Sequence, residues 1–188
     1  MRFGLISDTH GVVHPRIAEV FAGVDHILHA GDVGGDHVLA ALRSIAPVTF
    51  VRGNNDDGLV LSGAAAPPPP RGDEGVAAPL SNGYDVVRLN LGGIRFLITH
   101  ILPRPSKLGK HVERSLARER ADVVLFGHSH LPHDEVVGGT RFFNPASAGP
   151  RRFDYPMSVG LFDGERFSHV ALDDRSVAAL KTRMNQMR

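Results

Sequence analysis

Phe3-Gly4-Leu5-Ile6-Ser7-Asp8-Thr9-His10 is an apolar run that stops on an Asp-x-His string. The run is short, unbroken and bounded by polar residues, as expected of a strand buried on both faces. The same event recurs along the chain. Residues 27–30 end on Gly31-Asp32, and residues 48–51 lead into Gly53-Asn54-Asn55-Asp56. Residues 96–99 end on His100, and residues 123–126 end on Gly127-His128-Ser129-His130. Five strands therefore deliver carboxylates, an amide and imidazoles to one end of a sheet. Those are the ligand types that hard-to-borderline divalent cations prefer. Their number exceeds the need of one ion, which points to a two-metal hydrolytic site.

Working outward, the first half alternates strand and helix. A helix opens near Pro15 with Ile17, Val20 and Phe21 on one face, and a second runs over about 35–43 with Val38, Leu39 and Leu42 apolar. This βαβαβ start implies parallel strands buried on both faces. Residues 62–82 break the pattern with Ala and Pro runs and no usable periodicity, and read as a Pro/Gly-rich surface insertion. Beyond it, residues 85–91 and Ile94–Thr99 flank the hairpin signal Gly92-Gly93. A basic helix over 106–120 precedes the strand at 122–126. Short strands follow at 135–137, 141–144, Ser158–Phe162 and 167–172, and without helices between them they suggest a second, more antiparallel sheet. Two sheets face to face with helices outside accommodate every element. One domain over 1–175 is expected, with 176–188 as a polar tail, a short helix or a frayed end.

Bulk properties narrow the function. At 188 residues the chain can bury a sizeable core. A net charge of +1 gives no strong footprint for nucleic acid. Cysteine is absent, which excludes disulfides and thiolate metal sites. No apolar run approaches a membrane span and no leader pattern opens the chain, so a soluble cytoplasmic protein is expected. There are eleven histidines. His26 and His29 read as core or supporting groups; His14, His37, His111, His133 and His169 read as surface or packing residues.

The strings themselves suggest roles. Asp8 and His10, one residue apart, share a face and can reach one ion. Asp32, between the first and third strands, is the best bridging carboxylate. Asn54 offers a carbonyl oxygen, His128 and His130 can each feed a different ion, and His100 completes the donors. Two ions about 3.5–4 Å apart hold a bridging water, lower its pKa and polarise a phosphoryl oxygen. Asp32, Asn54 and His100 are thus expected to carry catalysis as well as metal. Serine-elbow, phosphate-loop, dinucleotide and zinc-protease strings are absent.

Taken in order, Asp-x-His, Gly-Asp, Gly-Asn-x-Asp, a strand-end His and Gly-His-x-His resemble the signature of the calcineurin-like metallophosphoesterases. Asn144-Pro145-Ala146-Ser147 with Pro150-Arg151 resembles the small bacterial and archaeal phosphodiesterase branch. The resemblance covers about residues 1–170. It implies a four-layer α/β sandwich of two mixed β-sheets flanked by helices. It also implies that Asp8, His10, Asp32 and His130 bind one metal, while Asp32, Asn54, His100 and His128 bind the other. The expected function is a phosphodiesterase using a water activated between two divalent ions, Mn2+ first, with Fe2+, Zn2+, Ni2+ or Co2+ as alternatives. A small phosphodiester or nucleotide is the expected substrate, with Asn55 and Arg151 as its contacts, and a homo-oligomer is compatible with the chain.

Three departures from the family pattern stand out. Asn55 occupies the position where many members carry a histidine able to protonate the leaving oxygen, and an amide cannot do so. Ile101 follows His100 where glycine is usual. Ala146 replaces a usual glycine, a mild change if its φ is negative. The competing readings are a scaffold that keeps the fold but works through protein contacts, as a trafficking subunit of the superfamily does, and a metal-storage or sensing module.

Overall fold

The structure is a computed structural model describing residues 1–59, 61, 86–103, 105 and 108–186. The insertion expected over 62–82 lies outside the described residues. The elements are β1 (Phe3–Ile6), α1 (Arg16–Val20), β2 (His26–His29), α2 (Asp36–Arg43), β3 (Val48–Phe50), β4 (Val86–Leu91) and β5 (Ile94–Thr99). Then follow α3 (Lys110–Arg118), β6 (Val123–Leu125), β7 (Pro132–Val137), β8 (Thr140–Pro145), β9 (Ser158–Phe162), β10 (Phe167–Ala171) and α4 (Asp174–Gln186).

Two five-stranded sheets form, ordered β10-β9-β1-β2-β3 and β4-β5-β6-β8-β7. Both are mixed. β1, β2 and β3 run parallel, with β9 antiparallel to β1. In the second sheet β5, β6 and β8 run parallel, with β4 and β7 as antiparallel edges. This corrects the expectation that the late strands make a separate antiparallel sheet. β9 and β10 return to extend the first sheet, and β7 and β8 extend the second. The donor strings accordingly leave the carboxyl ends of parallel strands in both sheets, not one.

Strand parity explains the layers. Phe3 and Leu5 of β1 face Phe96, Ile98, Val123 and Leu125 across the gap between the sheets, while Ile6 faces outward onto Ile17, Phe21, Val38 and Leu39 around α1 and α2. On the far side Leu97 and Val124 pack with Val112 of α3. Both faces of each central strand are covered, so the strands read as continuous apolar runs. The hairpins at Gly92-Gly93 and Gly138-Gly139 have positive φ at both central residues, the conformation a two-residue turn needs to match strand twist.

The chain end is helical. In α4, Ser176 and Leu180 are buried, and the helix contacts both β10 and β7. Asp173 accepts the Ser176 N–H at 2.8 Å, which makes it the N-cap.

Candidate metal centre

The loops that carry the donors are pinned by backbone bonds between neighbouring strands. Asp8 N–H donates to Gly31 O at 2.9 Å, His10 N–H to Asp32 O at 3.0 Å, and Gly127 N–H to His100 O at 3.0 Å. Five of the seven ligand candidates, Asp8, His10, Asp32, His128 and His130, have positive φ, between 46° and 67°. Non-glycine residues rarely adopt that conformation, and its concentration here is the signature of a site over-determined by its surroundings. Two glycines are required by space. A Cβ on Gly53 would run into the Asp32 carboxylate, and one on Gly127 would run into Ser7 Oγ and Asp8 Oδ2. Gly53 therefore serves close approach, and its φ is not positive.

The seven side chains singled out as metal ligands converge. Asp32 sits at the centre and its two oxygens address different histidines. Oδ2 lies 3.7 Å from His10 Nε2, and Oδ1 lies 3.4 Å from His100 Nε2. On the first side His10 Nε2 and His130 Nε2 are 3.2 Å apart, and Asp8 Oδ1 is 3.3 Å from His130 Nε2. On the second side Asn54 Oδ1 is 3.2 Å from His100 Nε2 and 3.0 Å from His128 Nδ1. Ligands roughly 2.1 Å from one ion lie about 3.0–3.4 Å from each other at octahedral or tetrahedral angles, so the donor spacing suits divalent cations. Asp8, His10 and His130, and separately Asp8, Asp32 and His100, have ligand atoms within 4.8 Å of one another. Two imidazole nitrogens at this distance either share one N–H···N hydrogen bond or turn both lone pairs to a common cation.

Surrounding bonds orient the donors. Ser7 Oγ–H donates to Asp8 Oδ2 at 2.7 Å, and the His128 N–H is shared between Oδ2 at 3.0 Å and Oδ1 at 3.2 Å, while Oδ1 also faces the His130 ring. His100 donates Nδ1–H to Ala30 O at 2.8 Å, which directs the Nε2 lone pair into the site. Asn55 donates its N–H to Asp32 Oδ1 at 2.9 Å and its Nδ2–H to Oδ2 at 2.6 Å. Asn55, expected on substrate, thus also holds the central carboxylate. Burial opposes ionisation of Asp32, but bonds from His100 and Asn55 outweigh it and hold the carboxyl far below its usual range. Burial depresses His10 and His128, the former against the pull of Asp32 and Asp8. For His100 burial works the same way, yet the Asp32 and Asp8 carboxylates win and raise it. Metal binds the neutral imidazole and the ionised carboxylate, so burial prepares His10 and His128 for it, whereas at His100 a cation would have to displace the proton that the carboxylates favour.

Residues beside the donors support them, among them His29, expected in a supporting place, and Asp56, the last residue of the Gly53-Asn54-Asn55-Asp56 string. Asp56, fully buried, accepts the N–H groups of Val33 at 3.0 Å, Gly34 at 2.9 Å and Gly53 at 2.8 Å, tying the Asp32 loop to the Asn54 loop. His29 accepts the Gly31 N–H on Nδ1 at 3.1 Å, so Nε2–H faces Thr9 Oγ1 at 2.9 Å, and burial holds its pKa down to about 4. Asn144 donates Nδ2–H to Gly127 O at 2.9 Å and accepts the Ala146 N–H at 2.9 Å, bracing the His128 loop. It opens the Asn144-Pro145-Ala146-Ser147 string, which carries part of the family resemblance.

Two expectations change. Arg151 is drawn away from any substrate: its guanidinium binds Asp173 at 2.6 and 2.8 Å, Ser176 Oγ at 3.1 Å and Tyr155 O at 3.0 Å. It is the charge of the neighbouring Arg152 that is felt at His10. Ala146 has φ +70°, so the change from glycine is not mild: the methyl sits in a backbone region that glycine tolerates best. Arg52, just before the Gly53-Asn54-Asn55-Asp56 string, donates to Asp56 O and Leu59 O at 3.0 and 3.1 Å and stiffens its own loop.

The calcineurin-like phosphoesterase superfamily domain matches residues 1–166. A probable metallophosphoesterase of Methanothermobacter thermautotrophicus is 28% identical over 173 residues, 88% of each chain. The Escherichia coli phosphodiesterase YfcE is 38% identical over 63 residues, 34% of each chain. The YfcE structure superposes with TM-score 0.63 and 26% identity over 94% of this chain and 96% of its own. Zn-complexed Vps29 of Entamoeba histolytica shares the fold, with TM-score 0.60 and 20% identity over 92% of this chain and all of its own.

Proposed function

This chain belongs to the calcineurin-like phosphoesterase superfamily, and we propose that it is a binuclear metal-dependent phosphodiesterase acting on small phosphodiesters. The observation that carries the reading is Asp32, whose two oxygens address two donor sets. In this reading Asp8, His10, Asp32 and His130 hold one ion, and Asp32, Asn54, His100 and His128 hold the other. When bound, two divalent ions supply a water of lowered pKa and positive charge for a phosphoryl oxygen. Mn2+ is the first choice, with Fe2+, Zn2+, Ni2+ and Co2+ as alternatives, because N/O donors leave the choice to availability.

The chain's own residues set the rest. Asn55 keeps Asp32 ionised and aligned, and its remaining amide N–H is available to a phosphoryl oxygen. No imidazole occupies the Asn55 position to deliver a proton, so the leaving oxygen departs largely as an anion. Esters of acidic alcohols and phenols are therefore the favoured substrates, and simple alkyl esters the poor ones. Seven intact donors argue against a purely structural scaffold on this fold. Among the described residues no helix is long and apolar enough to cross a membrane. That agrees with a cytoplasmic placement, which the absence of cysteine favours.

The test is direct. Protein loaded with Mn2+ hydrolyses bis(p-nitrophenyl) phosphate, and Asp32→Ala abolishes turnover. Absence of hydrolysis above background with Mn2+, Fe2+, Zn2+, Ni2+ and Co2+ overturns the enzymatic reading.

A further inference from the structure

The loop after Ala148 is anchored to the metal centre, yet the chemistry above makes no use of it. Ser147 Oγ–H and the Gly149 N–H both donate to the Asp8 carbonyl, at 2.9 and 3.0 Å. Three residues on, the chain turns back through a Tyr155 N–H bond to Arg152 O at 3.2 Å. The base of this turn is fixed to α4 by the Arg151–Asp173 pair, and the Arg183 guanidinium lies over the Tyr155 ring. From that base project Arg152, whose positive charge reaches His10, and Phe153.

Phe153 is anomalous twice. Its ring is 82% exposed, the highest among the exposed large apolar residues described. Its φ is +52°, an uncommon value for a bulky side chain. The other six non-glycine residues with positive φ are Asp8, His10, Asp32, His128, His130 and Ala146, all in the loops of the metal centre or against them. A phenyl ring held in water on a strained backbone gains nothing from burial, and the ring of Tyr155 lies 5.6 Å from it, centroid to centroid. Strain of this kind persists where it aims a side chain at something.

We propose that Arg152 and Phe153 are the specificity-determining pair of this site, selecting phosphodiesters that carry an aromatic ring. Arg152 takes a non-bridging phosphate oxygen, for which its planar fork is suited. Phe153 stacks on the ring, which is either a nucleobase or an aryl group. This inference rests on the phosphodiesterase reading and assigns its substrate class.

Steady-state kinetics of the Mn2+-loaded full chain test it on three esters: a nucleoside cyclic phosphate, bis(p-nitrophenyl) phosphate and a glycerophosphodiester without a ring. Phe153→Ala is expected to raise KM about tenfold on at least one ring-bearing ester, with the loss in KM rather than kcat, and Phe153→Trp to restore it. The ring-bearing ester that loses more identifies the source of the ring. Arg152→Gln is expected to raise KM on all three by a similar factor, since the phosphate is common to them. An equal effect of Phe153→Ala on the glycerophosphodiester, or KM within about twofold of wild type on every ester, overturns the proposal. If the wild type turns over none of the three, it is the phosphodiesterase reading that fails. Calorimetric binding of phenyl phosphate then decides the ring contact, which is refuted if Phe153→Ala binds as tightly as wild type.

Discussion

Asp56 offers the sharpest test of how the two halves of the metal centre are held together. Its carboxylate is fully buried and accepts three backbone N–H groups, two from the loop after Asp32 and one from the loop before Asn54. Each hydrogen bond to a charged acceptor contributes about 1.5–3 kcal/mol. Three of them summed approach a large share of the roughly 5–15 kcal/mol by which a domain is stable. Neighbouring bonds are not additive, so Asp56→Ala is expected to cost about 4 kcal/mol. Asp56→Asn keeps the shape, but one oxygen becomes an NH2 that faces a backbone donor. If the oxygen serving Val33 and Gly53 is retained, only the bond to Gly34 is lost, at a cost of about 2–3 kcal/mol. In a chain of this length that is a fall in Tm of roughly 5–10 °C. Urea unfolding measures the change through the midpoint at constant slope. Calorimetric titration with Mn2+ should show weaker binding in Asp56→Asn by about tenfold, although Asp56 belongs to neither donor set. A variant within about 0.5 kcal/mol of wild type, or with unchanged Mn2+ affinity, refutes the reasoning.

Two further expectations concern the parts around that centre. Asp173 is held down to about 2 by the Arg151 guanidinium and the Ser176 N–H and Oγ, which outweigh the effect of burial. Its contribution is fully present above the ordinary carboxyl value near 4 and is lost as pH falls from about 4 through about 2. With about a third of the side chain open to solvent the gain is at most about 1–2 kcal/mol. The stability gap between wild type and Asp173→Asn should close as unfolding is repeated from about pH 6 down to about pH 2, and a constant gap contradicts the assignment. At Ala146, glycine would relieve about 1–2 kcal/mol of left-handed strain but remove a buried methyl worth about 0.8 kcal/mol and loosen the unfolded chain. Ala146→Gly should therefore be at least about 1 kcal/mol less damaging than Ala148→Gly, where the alanine is equally buried and its φ is not positive. Equal losses in the two variants would remove the strain.

Much of the architecture was legible because burial on both faces leaves unbroken apolar runs. Runs at 3–6, 27–30, 48–51, 96–99 and 123–126 each correspond to a strand within a residue or two. The glycine pair at 92–93 likewise marked its hairpin. The partition of strands between sheets was not legible. Nothing local in Ser158–Phe162 says that it pairs with β1, since pairing is a long-range choice set by which apolar faces meet.

The metal centre divides along the same line. Residue type and position at the ends of buried strands single out Asp8, His10, Asp32, Asn54, His100, His128 and His130 as candidate ligands, because ligand chemistry is a property of the side chain. Direction and spending are properties of the fold. Arg151 and Arg152 are identical in type and adjacent, yet one is bound to Asp173 and the other acts on His10, because α4 packs against one side of their loop. The sign of φ at Ala146, the space that Gly53 leaves for Asp32, and the three N–H groups gathered by Asp56 likewise depend on neighbours far away in the chain. The sequence by itself determined which atoms are available for metal and phosphate chemistry. The tertiary structure decided which of them remain free to perform it, because a hydrogen bond or ion pair made elsewhere in the fold removes a group from the site.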